Sequence, residues 1–257
     1  MASNGPYLTV VIPAYNEEAR ITDSLGRVIR HLSTKPFAWE IIVANDGSSD
    51  GTIEAVRRVA IAEPRVRMLD LKHGGKGWAV SRGMLASQAP WRFLCDADLS
   101  MPPEQIDRFL IPAAQYGYDV GLGSREAPGA RRFNEPFRRH LFGRLFNRAV
   151  RILAVRGLDD TQCGFKMFSG AAADRIFKVQ RLHGFGFDVE VLFLARKSRM
   201  KLVEIPIDWY FHGGSSMTFR KGGLAFIDIV RVRLNDLARR YRGINAPASA
   251  PPDKGAR

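Results

Sequence analysis

Cysteine is nearly missing from this chain. Cys95 and Cys163 are the only two in 257 residues, far apart and without the spacing of a metal site. A reduced, cytosolic compartment is the default expectation. No apolar stretch approaches the ~18 to 20 residues that a bilayer span needs. Met1 to Pro6 has neither the charged start nor the apolar core of a signal peptide. Internal repeats are absent. Low complexity is confined to the Ala/Pro-rich end, Asn245 to Arg257, which is expected to be disordered. The first apolar run is not followed by the glycine pattern of a dinucleotide fold. Gly74-Gly75-Lys76-Gly77 lacks the spacer and the Ser/Thr of a Walker loop.

Acid is also scarce, with 26 Asp/Glu against 39 Lys/Arg and a net charge of +13. The excess is local. Arg131 to Arg156 holds eight arginines against Glu135 alone, and Arg220 to Arg242 holds seven basic residues against Asp228 and Asp236. Together these segments hold +12 of the +13, which predicts a basic surface for an anionic partner. Both read as basic amphipathic helices toward the C-terminal half, over Arg138 to Arg156 and Leu224 to Arg242. In the second, Phe226, Ile227, Val230, Leu234 and Leu237 form the apolar face, against Arg231, Arg239 and Arg242. Packing on the core is the ordinary fate of such a helix; arginine enrichment also fits a membrane interface.

The N-terminal half alternates regularly. Leu8 to Ile12, Glu40 to Ala44, Val66 to Leu71 and Trp91 to Cys95 are apolar, β-branched runs that read as buried strands. Helical spacing covers Glu17 to Leu32, Thr52 to Ala62 and Trp78 to Ser87. This order predicts an α/β architecture, a mostly parallel central sheet flanked by helices, with ligands at the carboxyl ends of the strands. A further strand runs from Asp119 to Arg125.

Three loops at those ends carry chemistry. The fourth strand stops at Asp96-Ala97-Asp98, and two carboxylates at a strand mouth call for a cation, most simply a hard divalent one. An acidic solvated turn is the competing reading of that pair. Gly74 to Gly77 can bring backbone N–H groups and the Lys76 ammonium to a diphosphate, or be a plain tight turn. Arg125 matches phosphate geometry but is equally consistent with a surface residue.

Val11 to Glu18, Asn45 to Asp50 and Asp96-Ala97-Asp98 together resemble the inverting glycosyltransferases of family two, with the GT-A fold. Gly75-Lys76-Gly77, Gly123-Ser124-Arg125, Asp160 to Lys166 and Phe187 to Glu190 narrow the resemblance to the branch that glycosylates dolichyl and polyprenyl phosphates. The resemblance implies that Pro13, Ala14, Tyr15 and Glu17 line the nucleoside site and that Asp46 meets the base. It further implies that Lys76 and Arg125 meet the diphosphate, and that Asp96 and Asp98 bind Mg²⁺ or Mn²⁺. Arg220, with the Gly/Ser loop from His212 to Ser216, is expected to close over the donor phosphates. Asn45 departs from the acid common in the family, and Ser100 from the Gln of some mannosyl members.

The expected reaction moves a sugar from a nucleotide diphosphate to a polyprenyl phosphate, with Asp98, Asp188 and Arg125 as catalytic residues. UDP-glucose is the first expectation; UDP-N-acetylhexosamine and GDP-mannose stay open as donors. Arg131, Arg138, Gln162 and Lys166 are expected on the acceptor side. A lipid phosphate is already anionic and needs positioning, not a base; a soluble hydroxyl acceptor would need one, with Asp188 or Glu190 as candidates. One domain is expected over 1–243, with a nucleotide part near 7–125, an acceptor and membrane-facing part near 126–243, and a tail over 244–257. The partners expected are the nucleotide-sugar donor, the polyprenyl phosphate and an anionic membrane surface at its cytoplasmic face; a separate membrane protein stays open as recruiter. Nucleic acid is not expected, because the aromatic residues of the basic segments lie on apolar helix faces rather than interleaved for stacking.

Overall fold

The computed structural model describes residues 5–134, 157–211 and 219–244, with backbone alone for 219–226. Its centre is a seven-stranded sheet. In chain order the strands are β1 (Leu8–Ala14), β2 (Trp39–Asn45), β3 (Val66–Asp70), β4 (Trp91–Cys95), β5 (Val120–Ser124), β7 (Phe165–Ser169) and β8 (Leu202–Pro206), arranged β3-β2-β1-β4-β7-β5-β8. All neighbours are parallel except β7, which runs antiparallel between β4 and β5. A small second sheet pairs β6 (Arg131–Phe133) with β9 (Asp208–Tyr210).

Strand composition explains the layering. β1 is buried on both faces and almost wholly apolar, as suits a strand covered by helices on both sides, and its one hydroxyl, on Thr9, bonds Glu40 at 2.7 Å. Leu8, Val10 and Ile12 point to one core with Ile21, Leu25, Val28 and Leu32 of α1 (Ile21–Leu32), Val56 of α2 (Thr52–Ala62) and Phe109 of α4 (Asp107–Tyr116). Val11 points to the other core, shared with Val80 and Met84 of α3 (Lys76–Leu85) and Ile176 of α5 (Gly170–Val179). Val191 of α6 (Phe187–Lys197) and Ile229 and Val232 of α7 (Phe219–Leu237) complete that second core. Removing a fully buried side chain such as Leu25 to Ala would cost about 2–5 kcal/mol.

Two expectations are corrected here. Lys166, expected in an acceptor-facing loop, is the second residue of β7, with 1% of its surface exposed, opposite Leu94 and Leu122. Its neighbours Phe165, Met167 and Phe168 make the segment a central strand, and the long lysine stem is accommodated within it. Ile244, assigned to the tail, is buried. Of the two fates left open for the apolar face of α7, Ile227, Val230, Leu234 and Leu237 do not pack on the core but are exposed, and Ile229 and Val232 meet the core instead. The helix expected over Arg138 to Arg156 lies outside the described residues.

Candidate active site

The carboxyl end of β4 builds the acidic pair. Leu99 N–H donates to the Asp96 carbonyl (3.2 Å), with Leu99 in the left-handed region at φ 46°. Ser100 N–H donates to Asp98 Oδ1 at 2.9 Å. This tight turn sends Asp96 inward and leaves Asp98 exposed. The inward carboxylate lies flat on Gly164, where a Cβ would collide with it. Glycine in the Cys163-Gly164-Phe165 string thus makes room for Asp96.

Three carboxylates around this point each hold one cation. Lys76 Nζ is 2.7 Å from Asp96 Oδ1. Lys166 Nζ is 2.5 Å from Asp188 Oδ1 and also donates to the Cys163 carbonyl. Arg125 grips Asp160 with Nε and Nη2 at 2.6 and 2.8 Å, and its backbone N–H adds a third bond at 3.1 Å. Burying such charges without partners would cost several kcal/mol each, so the pairing is what permits their burial.

The electrostatics follow from the same contacts. Burial pushes the Asp96 carboxyl up, Lys76 draws it back, and Asp98 and Asp188 push it up again, leaving it above the ordinary value. Burial opposes the Lys76 charge, but Asp96, Asp188 and Asp98 outweigh it and hold its pKa above that of a free lysine. Burial likewise opposes ionisation of Asp160, yet Arg125 prevails and brings its pKa down to about 2. Burial raises Glu17, Arg20 partly offsets this, and Asp98 and Asp96 add to the rise.

The glycine loop is organised differently from the phosphate cradle that its composition evokes. Gly74 and Gly75 N–H donate to the Asp46 carboxylate (2.8 and 2.9 Å), while Gly77 and Trp78 N–H donate to the His183 carbonyl (2.7 and 3.3 Å). Four backbone donors are therefore taken by the protein, and Lys76 is the loop's cation toward the cleft. Gly75 sits at φ 103°, and a Cβ there would meet the His183 carbonyl at 2.6 Å, so only glycine serves. Glu190 fastens the His183 stretch. Its carboxylate accepts from Leu182 N–H and Tyr241 O–H, both at 2.7 Å, and burial raises its pKa. Glu190 is thus tied into loop support, away from any acceptor hydroxyl.

On the other side, Tyr15 is 46% exposed and lies over His73, ring centroids 4.5 Å apart. His73 Nδ1 is 2.9 Å from Asp46 Oδ2. Asp46, expected at a base, is buried and bonded within this loop. Half-buried Pro13 and buried Ala14 end β1 below the pair, and the Ala14 carbonyl accepts from Asp46 N–H at 2.8 Å. Glu17 pairs with Arg20 at 2.8 Å. Asn45, in place of the familial acid, donates to Asp70 at 2.7 Å. The Ser100 carbonyl accepts from Tyr210 N–H at 2.8 Å.

The acceptor-side expectations scatter. Arg131 is paired twice with Asp208 (2.8 and 2.7 Å), a carboxylate also held by Arg108. Gln162 is half-buried beside Asp160, its Nε2 without a hydrogen-bond partner. Arg138 and the Arg220 side chain lie outside the described residues. The sequence alone marks neither His73 nor His183 as a site residue. Neither carries a local signal: Tyr15 meets His73 only through the fold, and the His183 carbonyl acts from far downstream.

The donor set at Asp96 and Asp98 is all oxygen and anionic, and it suits a hard divalent cation. Among the described residues no three His, Cys, Asp or Glu converge to form a complete metal cage. Two protein carboxylates with the remaining positions left to phosphate oxygens and water is the pattern Mg²⁺ commonly takes beside nucleotides.

Residues 9–177 match the family model for glycosyl transferase family 2. The chain is 35% identical over 239 residues to a dolichyl-phosphate beta-glucosyltransferase of Trichomonas vaginalis, covering 89% of this chain and 71% of that one. Its counterpart in Saccharomyces cerevisiae is 30% identical over 260 residues, covering 92% and 77%. Among solved structures, glucosyl-3-phosphoglycerate synthase from Mycobacterium tuberculosis, bound to Mn²⁺, UDP and glucosyl-3-phosphoglycerate, superposes with a TM-score of 0.63 at 19% identity, covering 97% of this chain and 82% of that one. That likeness carries the fold, which is GT-A. With strand-end acids, a lysine loop and a family match over most of its sheet, this chain belongs to glycosyl transferase family 2 and is a glycosyltransferase.

Proposed function

We propose that this enzyme transfers glucose from UDP-glucose to a dolichyl or polyprenyl phosphate, with inversion, at the cytoplasmic face of a membrane. The observation that carries this reading is Lys76 paired to Asp96 beside the exposed Asp98, at the strand ends where a diphosphate would lie. The relatives named dolichyl-phosphate beta-glucosyltransferases support the sugar and the acceptor class.

Tyr15 and His73 offer an aromatic surface for the base. Lys76 meets the diphosphate, and Arg125, fixed by Asp160, adds a positive charge at the end of β5. Asp96 and Asp98 would hold Mg²⁺ or Mn²⁺, which when bound neutralises charge on the leaving diphosphate. An acceptor phosphate oxygen attacks the anomeric carbon, the bond to the β-phosphate oxygen breaks, and UDP departs with the electron pair. No proton must move, because the acceptor oxygen is already anionic. A hydroxyl acceptor is disfavoured, because Asp188, its prospective base, is buried and bonded to Lys166. Asp188 instead contributes negative charge that keeps Lys76 protonated. Gln162, with its amide nitrogen unpaired, is assigned to the acceptor side.

The test is partition of label into the lipid phase with polyprenyl phosphate and a panel of UDP-glucose, UDP-N-acetylglucosamine and GDP-mannose. Metal-dependent label from UDP-glucose above the others is expected. Absence of label in the lipid from every donor would refute the reading.

A further inference from the structure

α7 turns its apolar stripe away from the protein. Ile227, Val230, Leu234 and Leu237 are 49%, 50%, 58% and 80% exposed. At about 100° per residue they fall within an arc of roughly 80°. Ile229 and Val232, on the opposite side, are buried in the core, and Asp236 on that side pairs with Lys197 of α6 at 2.7 Å. Water is a costly place for such a stripe, and chance scatter of single surface apolars does not produce one at helical spacing. Its borders are basic. Arg231, with 63% of its side chain exposed, lies about 40° beyond one edge and Arg233 about 40° beyond the other. Arg239, Arg240 and Arg242 follow at the exposed end.

We infer that this stripe docks on an anionic lipid bilayer, with the four apolar side chains in the acyl boundary and the arginines at the headgroups. The inference rests on the reading of the acceptor as a lipid phosphate. Charge complementarity selects the occupant: an apolar ridge between cationic borders is the form of a helix lying in an interface. A second copy of the chain fits poorly, since four side chains are few against the ~20–30 residues a side of a stable interface.

The position of α7 relative to the cleft supports the same occupant. Asp228, adjacent to Ile227, packs on Gly186 so closely that a Cβ there would collide with it. Gly186 directly precedes α6, whose first turn carries Asp188. A bilayer under Ile227 would therefore lie near the start of the helix that carries Asp188.

The test uses the full chain with vesicles of phosphatidylcholine alone or mixed with phosphatidylglycerol, read by co-sedimentation. Salt-sensitive binding to the anionic vesicles is expected. In the Val230→Glu/Leu234→Glu variant that binding should weaken about tenfold or more, with UDP binding unchanged. Independently, Leu237→Trp should show a blue-shifted emission on adding anionic vesicles. With a short water-soluble prenyl phosphate as acceptor the double glutamate variant should match the wild type; with a long acceptor held in vesicles it should lose activity. Wild type that ignores anionic vesicles, a glutamate variant that binds them as well as wild type, or a wild-type dimer made monomeric by those glutamates would overturn the docking while the proposed reaction stands. Wild type that glucosylates neither acceptor would overturn the reading of the reaction itself.

Discussion

Asp96 and Asp98 stand two residues apart and do different physical jobs. Asp96 is drawn in against Gly164 and neutralised by Lys76, whereas Asp98 is exposed and fixed only through Ser100 N–H. Asp98→Asn should therefore leave stability within about 0.5 kcal/mol of wild type, as surface changes usually do. Loss of transition-state charge stabilisation should lower kcat/KM for transfer by roughly 10²–10³-fold. Thermal scans and steady-state rates on one preparation check both halves. Lys166 behaves oppositely, as a buried cation whose partner is a buried acid. Lys166→Met should destabilise the fold by about 3–5 kcal/mol in denaturant titrations, and adding Asp188→Leu should recover much of it. Asp160 supplies a pH signature. Its folded pKa, about 2, lies below the ordinary aspartate value of 3.8, so the stability it adds is present above that value. That contribution, on the order of 2 kcal/mol, should fade as pH falls from about 4 through about 2. Asp160→Asn should flatten the acid limb of the stability curve over that range.

At the scale of elements, the joint between α6 and α7 controls the cleft rim. Gly186 admits Asp228, and Gly186→Ala must push α7 off the start of α6. The expected result is a drop in Tm of several degrees, about 2–4 °C per kcal/mol lost in a chain of this size. Activity should fall on vesicle-held acceptor more than on soluble acceptor. The elements also show what could be read in advance. β1 to β4 and the loops after them were legible, because apolar β-branched runs punctuated by turn residues have few other fates. β7 was not, because the charge of its buried lysine is balanced by Asp188, a partner beyond any local window. Amphipathicity in α7 was legible, but which face meets the core was not: periodicity reports that a helix has two faces and is silent on what covers each. The glycine loop misled for a related reason. Its free-looking N–H groups are taken by Asp46 and by the His183 carbonyl, the latter set by Glu190 from another helix.

For the whole molecule, the sheet acts as a frame that delivers four loops to one edge and leaves charge to do the chemistry. Ion pairs fix Asp96, Asp188 and Asp160, so the cleft is largely organised before substrate arrives. UDP with Mn²⁺ should then raise Tm by mass action, and Asp98→Asn should abolish the part of that shift that depends on the metal. The account's central claim is in-line displacement by an anionic lipid headgroup. NMR of the product formed from UDP-α-glucose and polyprenyl phosphate tests it most directly. A β-linked glucosyl phosphodiester, formed one-for-one with UDP, is predicted. An α-linked product, or UDP accompanied only by free glucose, would contradict it.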